Sequence, residues 1–349
     1  MYDGDDRLPT VPDMRSVIEC LYNDGLVYYD PDELADRTRM ADAGTAEQKL
    51  DELRGRFDPP FAVFDPRYVG YSFPSYTFVR TENNLENGAK ANRSHFPDPE
   101  TSMLLGTVLG DVDIVQRRAD ADRWANAEFA KWAKGRLDYF ENFETYPVFQ
   151  IARWHGKERT EPLETSPRPL RDVEAALVEH LRDDPELLAL IDDDELTAES
   201  IPESLDQYTV TEIESTVRTL EADDILLGTS ISYDIYNSPW NCAIMGLSLG
   251  AEDEAGGPQT PRMDLTVDHD HVIDELLDAE TEYLNEFTMP FVTSGIGQGW
   301  ADILLELRVD EPHHLDRIAE EIRTIDYVES TKTYFMTTTL FNEPLGLKI

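Results

Sequence analysis

Lysine is nearly missing from this chain: there are seven in 349 residues, Lys49, Lys90, Lys131, Lys134, Lys157, Lys332 and Lys348. Cysteine is scarcer still, with only Cys20 and Cys242, far apart in sequence. Two isolated thiols exclude a disulfide framework and a paired-cysteine metal site, and they read as small buried hydrophobes. No apolar run approaches the ~20 residues that a membrane-spanning helix needs; the longest lies around Cys242–Leu249. Met1–Asp13 is acidic and has no apolar stretch, so no leader is expected and the chain reads as cytoplasmic, without membrane contact. A Ser-His-Asp order and a Gly-rich phosphate loop are also missing. That removes the commonest hydrolase and nucleotide-binding classes, and no cofactor is expected.

What the chain has in abundance is acid. Seventy-two Asp and Glu against 30 Lys and Arg give a net charge of −42. The acid is spread through helical segments, among 15 Tyr, 14 Phe and 5 Trp. A disordered acidic tail lacks such aromatics, so the carboxylates belong to folded surfaces. At 1 M salt charge is screened over about 3 Å, and dense surface carboxylate keeps a protein soluble there. The composition resembles that of proteins from extreme halophiles.

The pattern of elements runs twice. Met14–Tyr22, Pro31–Arg37 and Thr45–Arg56 have helical apolar spacing, and Phe61–Phe64 is a short strand punctuated by Asp65–Gly70. Three helices and a β wing make a winged helix-turn-helix. Asp172–Arg182 and Thr209–Ala222 repeat the helices, with Val173, Ala176, Leu177 and His180 expected inward on the former. Ile225–Gly228 and Ser230–Tyr233 are expected to form the second wing, and the acidic stretch Asp183–Gln207 separates the two helices. Each winged helix leads into strands. In the second copy Asn241–Leu249, a polar loop Ala251–Pro261, a helix Val267–Leu284, strands Phe291–Ser294 and Ile303–Val309, a helix Pro312–Arg323 and a strand Thr331–Leu340 give β-α-β-β-α-β. In the first copy the strands are Ser75–Arg80, Leu104–Val108, Ile114–Arg118 and Thr145–Ile151, with a helix Asp122–Arg136. Glu82–Pro99, rich in Asn and ending in Pro, is expected to be irregular.

The fold class is therefore α+β: two tandem units, each a winged helix followed by a ferredoxin-like sandwich. The expected bounds are 1–70, 71–155, a Pro-containing linker 156–171, a second, degenerate winged helix 172–236, and 237–349. The repeat is checked by offset: Gly110–Ile114 aligns with Gly299–Ile303, and Thr145-Tyr146 with Thr333-Tyr334.

Three segments carry a resemblance: FDPRYVGYSFPSYTFV from Phe64, GQGWADILLELRV from Gly297 and YVESTKTYFMTTTL from Tyr327. With the order of elements, they resemble the Lrp/AsnC family of regulators, whose sandwich is the RAM type. The resemblance implies sheets paired face to face, here inside one chain as a covalent pseudo-dimer, with further association through the sandwich domains. It implies a small effector, an amino acid among the expected classes, near the Gly-containing turns: Gly295, Gly297, Gln298, Gly299 and Asp302, with Gly110 and Asp113 in the first copy. It also implies double-stranded DNA as partner. Arg37, Arg39, Lys49, Arg54 and Arg56 are the candidate contacts, all in the first winged helix. Fused paralogues of this architecture act as siroheme decarboxylases, which would need His and Arg on a porphyrin pocket; only His95 offers itself. A ligand sensor or adaptor without DNA binding is the third class.

Two other clusters stand out. Asp268-His269-Asp270-His271 looks like a metal site, but on a helix its histidines lie about 200° apart, and its acids suit helix capping. His313 and His314 are expected to face apart for the same reason. Arg123, Trp124, Phe129, Lys131, Trp132, Lys134 and Arg136 make one helix locally basic, and Arg153, Lys157, Arg159, Arg168 and Arg171 do the same for the linker. Contact with nucleic acid or an acidic neighbour is the functional expectation for both.

Overall fold

The computed structural model describes residues 17, 20–21, 31–38, 40, 42–53, 61–71, 73–81, 102–135, 140–154, 157–158, 167–192, 194–230, 241–250, 269–278, 284–290, 301–309 and 311–342. Among them the first winged helix contributes α1 (Pro31–Thr38), α2 (Ala43–Leu53) and β1 (Phe61–Phe64). Val17, Leu21, Leu34, Ala35 and Ala46 are buried there; Val17, Cys20 and Leu21 are the described residues of the first expected helix, and all three are helical. Asp65 ends β1. Its carboxylate accepts from the Arg67 backbone N–H at 2.9 Å and pairs with the Arg67 guanidinium at 2.6 Å, both residues buried. A 3-10 turn, Pro66–Val69, follows and closes on Gly70 at φ 91°, a left-handed conformation suited to glycine.

The sandwich of the first copy has β2 (Phe73–Thr81), β3 (Ser102–Leu109), β4 (Ile114–Asp120), α3 (Arg123–Lys134) and β5 (Phe140–Trp154), extended by β6 (Lys157–Glu158). The second winged helix has α4 (Asp172–Asp183), α5 (Glu186–Asp192), α6 (Val210–Ala222) and β7 (Leu226–Ser230). The second sandwich has β8 (Asn241–Leu249), α7 (His269–Asp278), β9 (Leu284–Pro290), β10 (Ile303–Val309), α8 (His313–Ile322) and β11 (Val328–Asn342).

The strands form a ring. The order β2-β4-β3-β11-β8-β10-β9-β5 closes because β5 also pairs with β2. Each copy supplies four neighbouring strands, β5-β2-β4-β3 and β11-β8-β10-β9, in the same internal order. Two antiparallel seams join the copies, Phe335 against Leu109 on β11 and β3, and Ile151 against Thr288 on β5 and β9. A closed barrel leaves no long unpaired edge. The two sandwiches thus complete one another inside a single chain.

Side chains alternate across the barrel wall. Tyr76, Phe78, Val115, Tyr146, Ile244, Leu304 and Tyr334 form the interior cluster. Leu305, Leu307 and Val309 of β10 with Ala243, Met245, Leu247 and Leu249 of β8 point the other way, beneath α7 and α8. Helix α8 presents Leu315, Ile318, Ala319 and Ile322 to them at helical spacing.

Strand β1 ties the layers together. It pairs antiparallel with β7, the wing strand of the other copy. Its Phe61 and Val63 join the barrel cluster, while Ala62 and Phe64 pack with Leu177, Leu181, Ile213 and Val217 of the second winged helix.

Several expectations are corrected. The second wing does not turn after Gly228: β7 runs through it to Ser230, paired with β1; 231–233 lie outside the described residues. Helix α7 ends at Asp278, and Leu284, expected on that helix, opens β9. Pairing with both β10 and β5 overrides the local helical spacing there. The expected strand Phe291–Ser294, the loop Ala251–Pro261 and the irregular stretch Glu82–Pro99 fall outside the described residues. The acidic stretch between α4 and α6 holds α5 and a 3-10 turn at Glu203–Leu205. The rings of His313 and His314 do not face apart; their centroids are 4.4 Å from each other, and His313 lies 3.1 Å from Glu311.

The inward face of α4 is Glu174, Leu177, Val178 and Leu181, with His180 half-buried against Ser204. Glu174 is inside because the expected linker supplies its partners. Arg168 Nη1 donates to it at 2.8 Å and Arg171 Nη2 lies 2.7 Å away, and Arg168 also reaches Asp223 at the end of α6. The linker is pinned at its other end too, since β6 pairs with β5. At least two of its five cations, Arg168 and Arg171, are therefore spent on the chain's own carboxylates.

Hydrogen bonds from Arg168, joined by those from Arg171, hold the Glu174 carboxyl down from 4.5 to about 2 despite burial. A carboxyl whose folded pKa is depressed stabilises the fold above its ordinary value and loses that contribution as the pH falls towards the folded one. The shift corresponds to about 3 kcal/mol. Glu174→Gln should therefore cost up to about that much at pH 7 and little near pH 2. Denaturant titrations of the two proteins at both pH values check this; an equal gap at both would refute the linkage.

Candidate functional site

Three places are expected to carry function: the turns, the reading helices and the basic patches. The turns come first. Asp113 Oδ2 accepts from the Thr81 backbone N–H at 2.6 Å and from its hydroxyl at 3.0 Å. Asp302 Oδ2 accepts from the Leu249 backbone N–H at 2.7 Å. Thr81 and Leu249 hold equivalent places at the ends of β2 and β8, so both aspartates fasten the turn to the opening strand of their own sandwich. They shape the turn rather than offer a free carboxylate.

Gly110 is at φ 156°, and a Cβ there would meet Tyr334 Cδ1 at 2.7 Å. Tyr334 belongs to β11 of the other copy. Its hydroxyl donates to Asp111 Oδ1 at 2.9 Å, and Lys332 Nζ donates to Asp111 Oδ2 at 2.6 Å. Burial and the Asp111 carboxylate raise the Tyr334 phenol, while Lys332 and Tyr334 hold Asp111 below the usual range against its partial burial. The first copy's turn is thus filled and bolted across the seam. In the second copy the repeat offset puts Trp300 at the place of Asp111 and Glu144 at the place of Lys332, so this bolt has no counterpart. Gly295, Gly297, Gln298 and Gly299 lie outside the described residues.

The reading helices come next. Asp42 Oδ1 accepts from the Thr45 N–H at 2.8 Å before α2, and the Thr209 backbone N–H and hydroxyl donate to Glu212 at 2.9 and 2.8 Å at the start of α6. Those backbone hydrogen bonds lower both carboxyls. Each helix start therefore carries its own anion, which disfavours a phosphate at that end. What separates the two is cation content. From Arg37 to Arg56 five of twenty residues are Arg or Lys and four are acidic, whereas Asp172–Gly228 has two cations and eighteen acids. Lys49 sits half-buried on α2. Arg37 lies on α1; Arg39, Arg54 and Arg56 fall outside the described residues.

One feature was missed in the sequence. The outer face of the first sheet, beneath α3, is polar where its counterpart is aliphatic. Arg118 Nη2 donates to Asp120 at 2.7 Å and its guanidinium lies 3.7 Å over the Phe129 ring. Asn126 Nδ2 donates to Ser75 and to Asp120, each at 2.9 Å. Gln116, Arg118, Asp120, Asn126 and Ser75 are all buried. The equivalents of Gln116, Arg118, Asp120 and Ser75 are Leu305, Leu307, Val309 and Ala243. The signal was legible in IVQRRAD aligned with ILLELRV.

Helix α3 leaves Trp124 exposed at 69%, next to Arg123, whose guanidinium lies 5.5 Å from its ring. His271 packs edge-on against Tyr327 in the second sandwich. No group of three metal-ligating side chains occurs among the described residues, and no described helix is long and apolar enough to cross a membrane.

With this geometry in hand the chain was compared with known proteins. No family profile and no curated sequence matches it. A solved structure does match, end to end, over 96% of this chain and 94% of the other, with TM-score 0.51 and 10% identity. The fold is shared with the siroheme decarboxylase NirDL. Regulators align over less than half of this chain. One from Neisseria meningitidis, solved with L-Met, covers 43% of this chain and 91% of its own at 13% identity and TM-score 0.31. An AsnC family regulator from Agrobacterium tumefaciens covers 44% and 96% at 17% and 0.31. At these identities the NirDL likeness is one of fold alone, and it extends to the two-copy plan of the whole chain.

Proposed function

We propose that the chain is a small-molecule-responsive DNA-binding regulator in which one of its two winged helices reads the duplex. The observation that carries this reading is the concentration of Arg and Lys between Arg37 and Arg56, over the helix-turn-helix of the first unit, in a chain of net charge −42. Phosphate contacts need cations, and binding draws on the counterions they release. The second unit, with eighteen acids against two cations, repels a duplex and serves packing: its core holds Ala62 and Phe64 of β1. The effector seat is assigned to the second copy's turn, Gly295–Gly299, because Trp300 and Glu144 stand where the first copy's turn is bolted by Asp111 and Lys332. Retention of a defined sequence from a pool of randomised duplexes by the full chain in molar KCl tests the reading; no enrichment over input would refute it.

A second reading, an enzyme acting on a tetrapyrrole, draws on the polar layer beneath α3, present in one copy and absent from the other, together with the end-to-end fold shared with NirDL. A shift of the Soret band when an iron tetrapyrrole is added to the purified chain would favour it over the regulator.

A further inference from the structure

The barrel interior holds a charged pair at a special place. Arg117 Nη1 donates to Glu306 Oε1 at 3.0 Å, and the Tyr76 hydroxyl donates to the same oxygen at 2.8 Å. The side chains are 2% and 10% exposed. Arg117 also lies 5.2 Å from the ring of Trp154, which is buried. The two partners are 189 residues apart. That is the repeat offset: it carries Gly110 to Gly299, Asp113 to Asp302 and Ile114 to Ile303. The register agrees, since Ile114 pairs with Val79 and Ile303 with Leu247, and Arg117 with Tyr76 and Glu306 with Ile244. Arg117 and Glu306 therefore occupy the same position in the two copies. Two equivalent positions can touch only on the axis that relates the copies.

We infer that this pair is a pairing code: each half of the barrel closes on the other half and rejects a copy of itself. A barrel of two first halves would set Arg117 against Arg117 on the axis, and one of two second halves would set Glu306 against Glu306. Two carboxylates buried a few Å apart cannot both stay ionised, two guanidiniums stay charged and repel each other, and removing one member of a buried pair strands the other. The aliphatic neighbours do not discriminate in this way, because hydrophobic contact is non-directional. Selectivity needs a repulsive element against the wrong partner, and this position supplies it in both wrong combinations. The seams at β3–β11 and β5–β9 are backbone ladders that either half could in principle offer to either.

The test uses whole chains. Arg117→Glu places a second carboxylate against Glu306, and Glu306→Arg places a second guanidinium against Arg117; each should lower the unfolding temperature by about 10 °C or more. The double variant R117E/E306R restores opposite charge within one chain and should recover most of that loss. The decisive arm mixes the two single-variant chains under refolding conditions. The first half of the R117E chain then finds the second half of the E306R chain, with the charges exchanged but opposite, and the reciprocal pair is the native one. A 1:1 two-chain species should form from the mixture and from neither variant alone, read by light scattering. Single variants that melt within about 2 °C of the native chain would overturn the inference. So would a double variant no more stable than the worse single one, combined with a mixture that scatters as the sum of its parts.

Discussion

Replacing Phe64 with alanine should cost about 3–5 kcal/mol of unfolding free energy, the range for emptying a buried phenylalanine site. The reason for expecting the full range is the position of β1. Phe64 belongs to the first unit by sequence but sits in the core of the second winged helix with Leu177, Leu181, Ile213 and Val217. On the other face of the same strand Phe61 and Val63 join the barrel core. The site cannot collapse around a void without dragging either the β1–β7 ladder or the barrel with it. The same change at Phe129, on the amphipathic α3, would disturb that helix and the Arg118 guanidinium stacked on its ring, without touching the β1–β7 ladder. Chemical denaturation of both variants compares them. A Phe64→Ala cost below about 1 kcal/mol would mean that β1 is a detachable link between units.

The second large effect is that of salt. The unfolding temperature should rise by about 10 °C or more between 0.2 M and 3 M KCl. Seventy-two acidic residues on a folded chain repel one another, with only 30 Lys and Arg to offset them. Screening shortens that repulsion from about 8 Å to 3 Å or less. The buried pairs Arg117–Glu306, Arg118–Asp120 and Arg67–Asp65 respond little, since ions do not reach them. A melting temperature independent of KCl over this range would contradict the reading of the acid as surface repulsion held in check by salt.

The sequence made the element order legible because periodicity and turn residues act locally. Among the described residues, α2 and α6 and the strands β2, β4, β8 and β10 overlap the segments where spacing placed them. What spacing could not show were the partners. The wing strand β7 looked like half of a hairpin, and its partner among the described residues is the distant β1. The helix expected over Val267–Leu284 stops at Asp278, and Leu284 opens a strand flanked by β5 and β10. Glu174 was not among the residues expected inward on its helix, and the cations that hold it inside, Arg168 and Arg171, come from the segment before it. Of the turn residues, the conformational role of Gly110 was visible, but the ring of Tyr334 that fills its open side comes from the other copy, 224 residues away. The polar layer beneath α3 was written in the strand pattern, yet polarity in an inward position gains meaning only beside the aliphatic copy it departs from.

The divergence of the two copies is the thread through these features. One turn is bolted by Lys332 and Asp111 while the other lacks the residues for it. One sheet face buries Arg118 and the other Leu307. One winged helix concentrates cations and the other acids. A two-fold regulator with equal reading heads would have no use for such differences, whereas a single chain with one reader and one effector seat accommodates all of them. The most direct measurement is DNA retention in molar KCl by three proteins: the native chain, the Arg37→Ala and Arg39→Ala double variant, and Arg218→Ala, each with the duplex enriched on the native chain. The account predicts that the double variant loses sequence-selective retention while Arg218→Ala keeps it; loss of retention on Arg218→Ala alone would contradict the assignment of reading to the first winged helix.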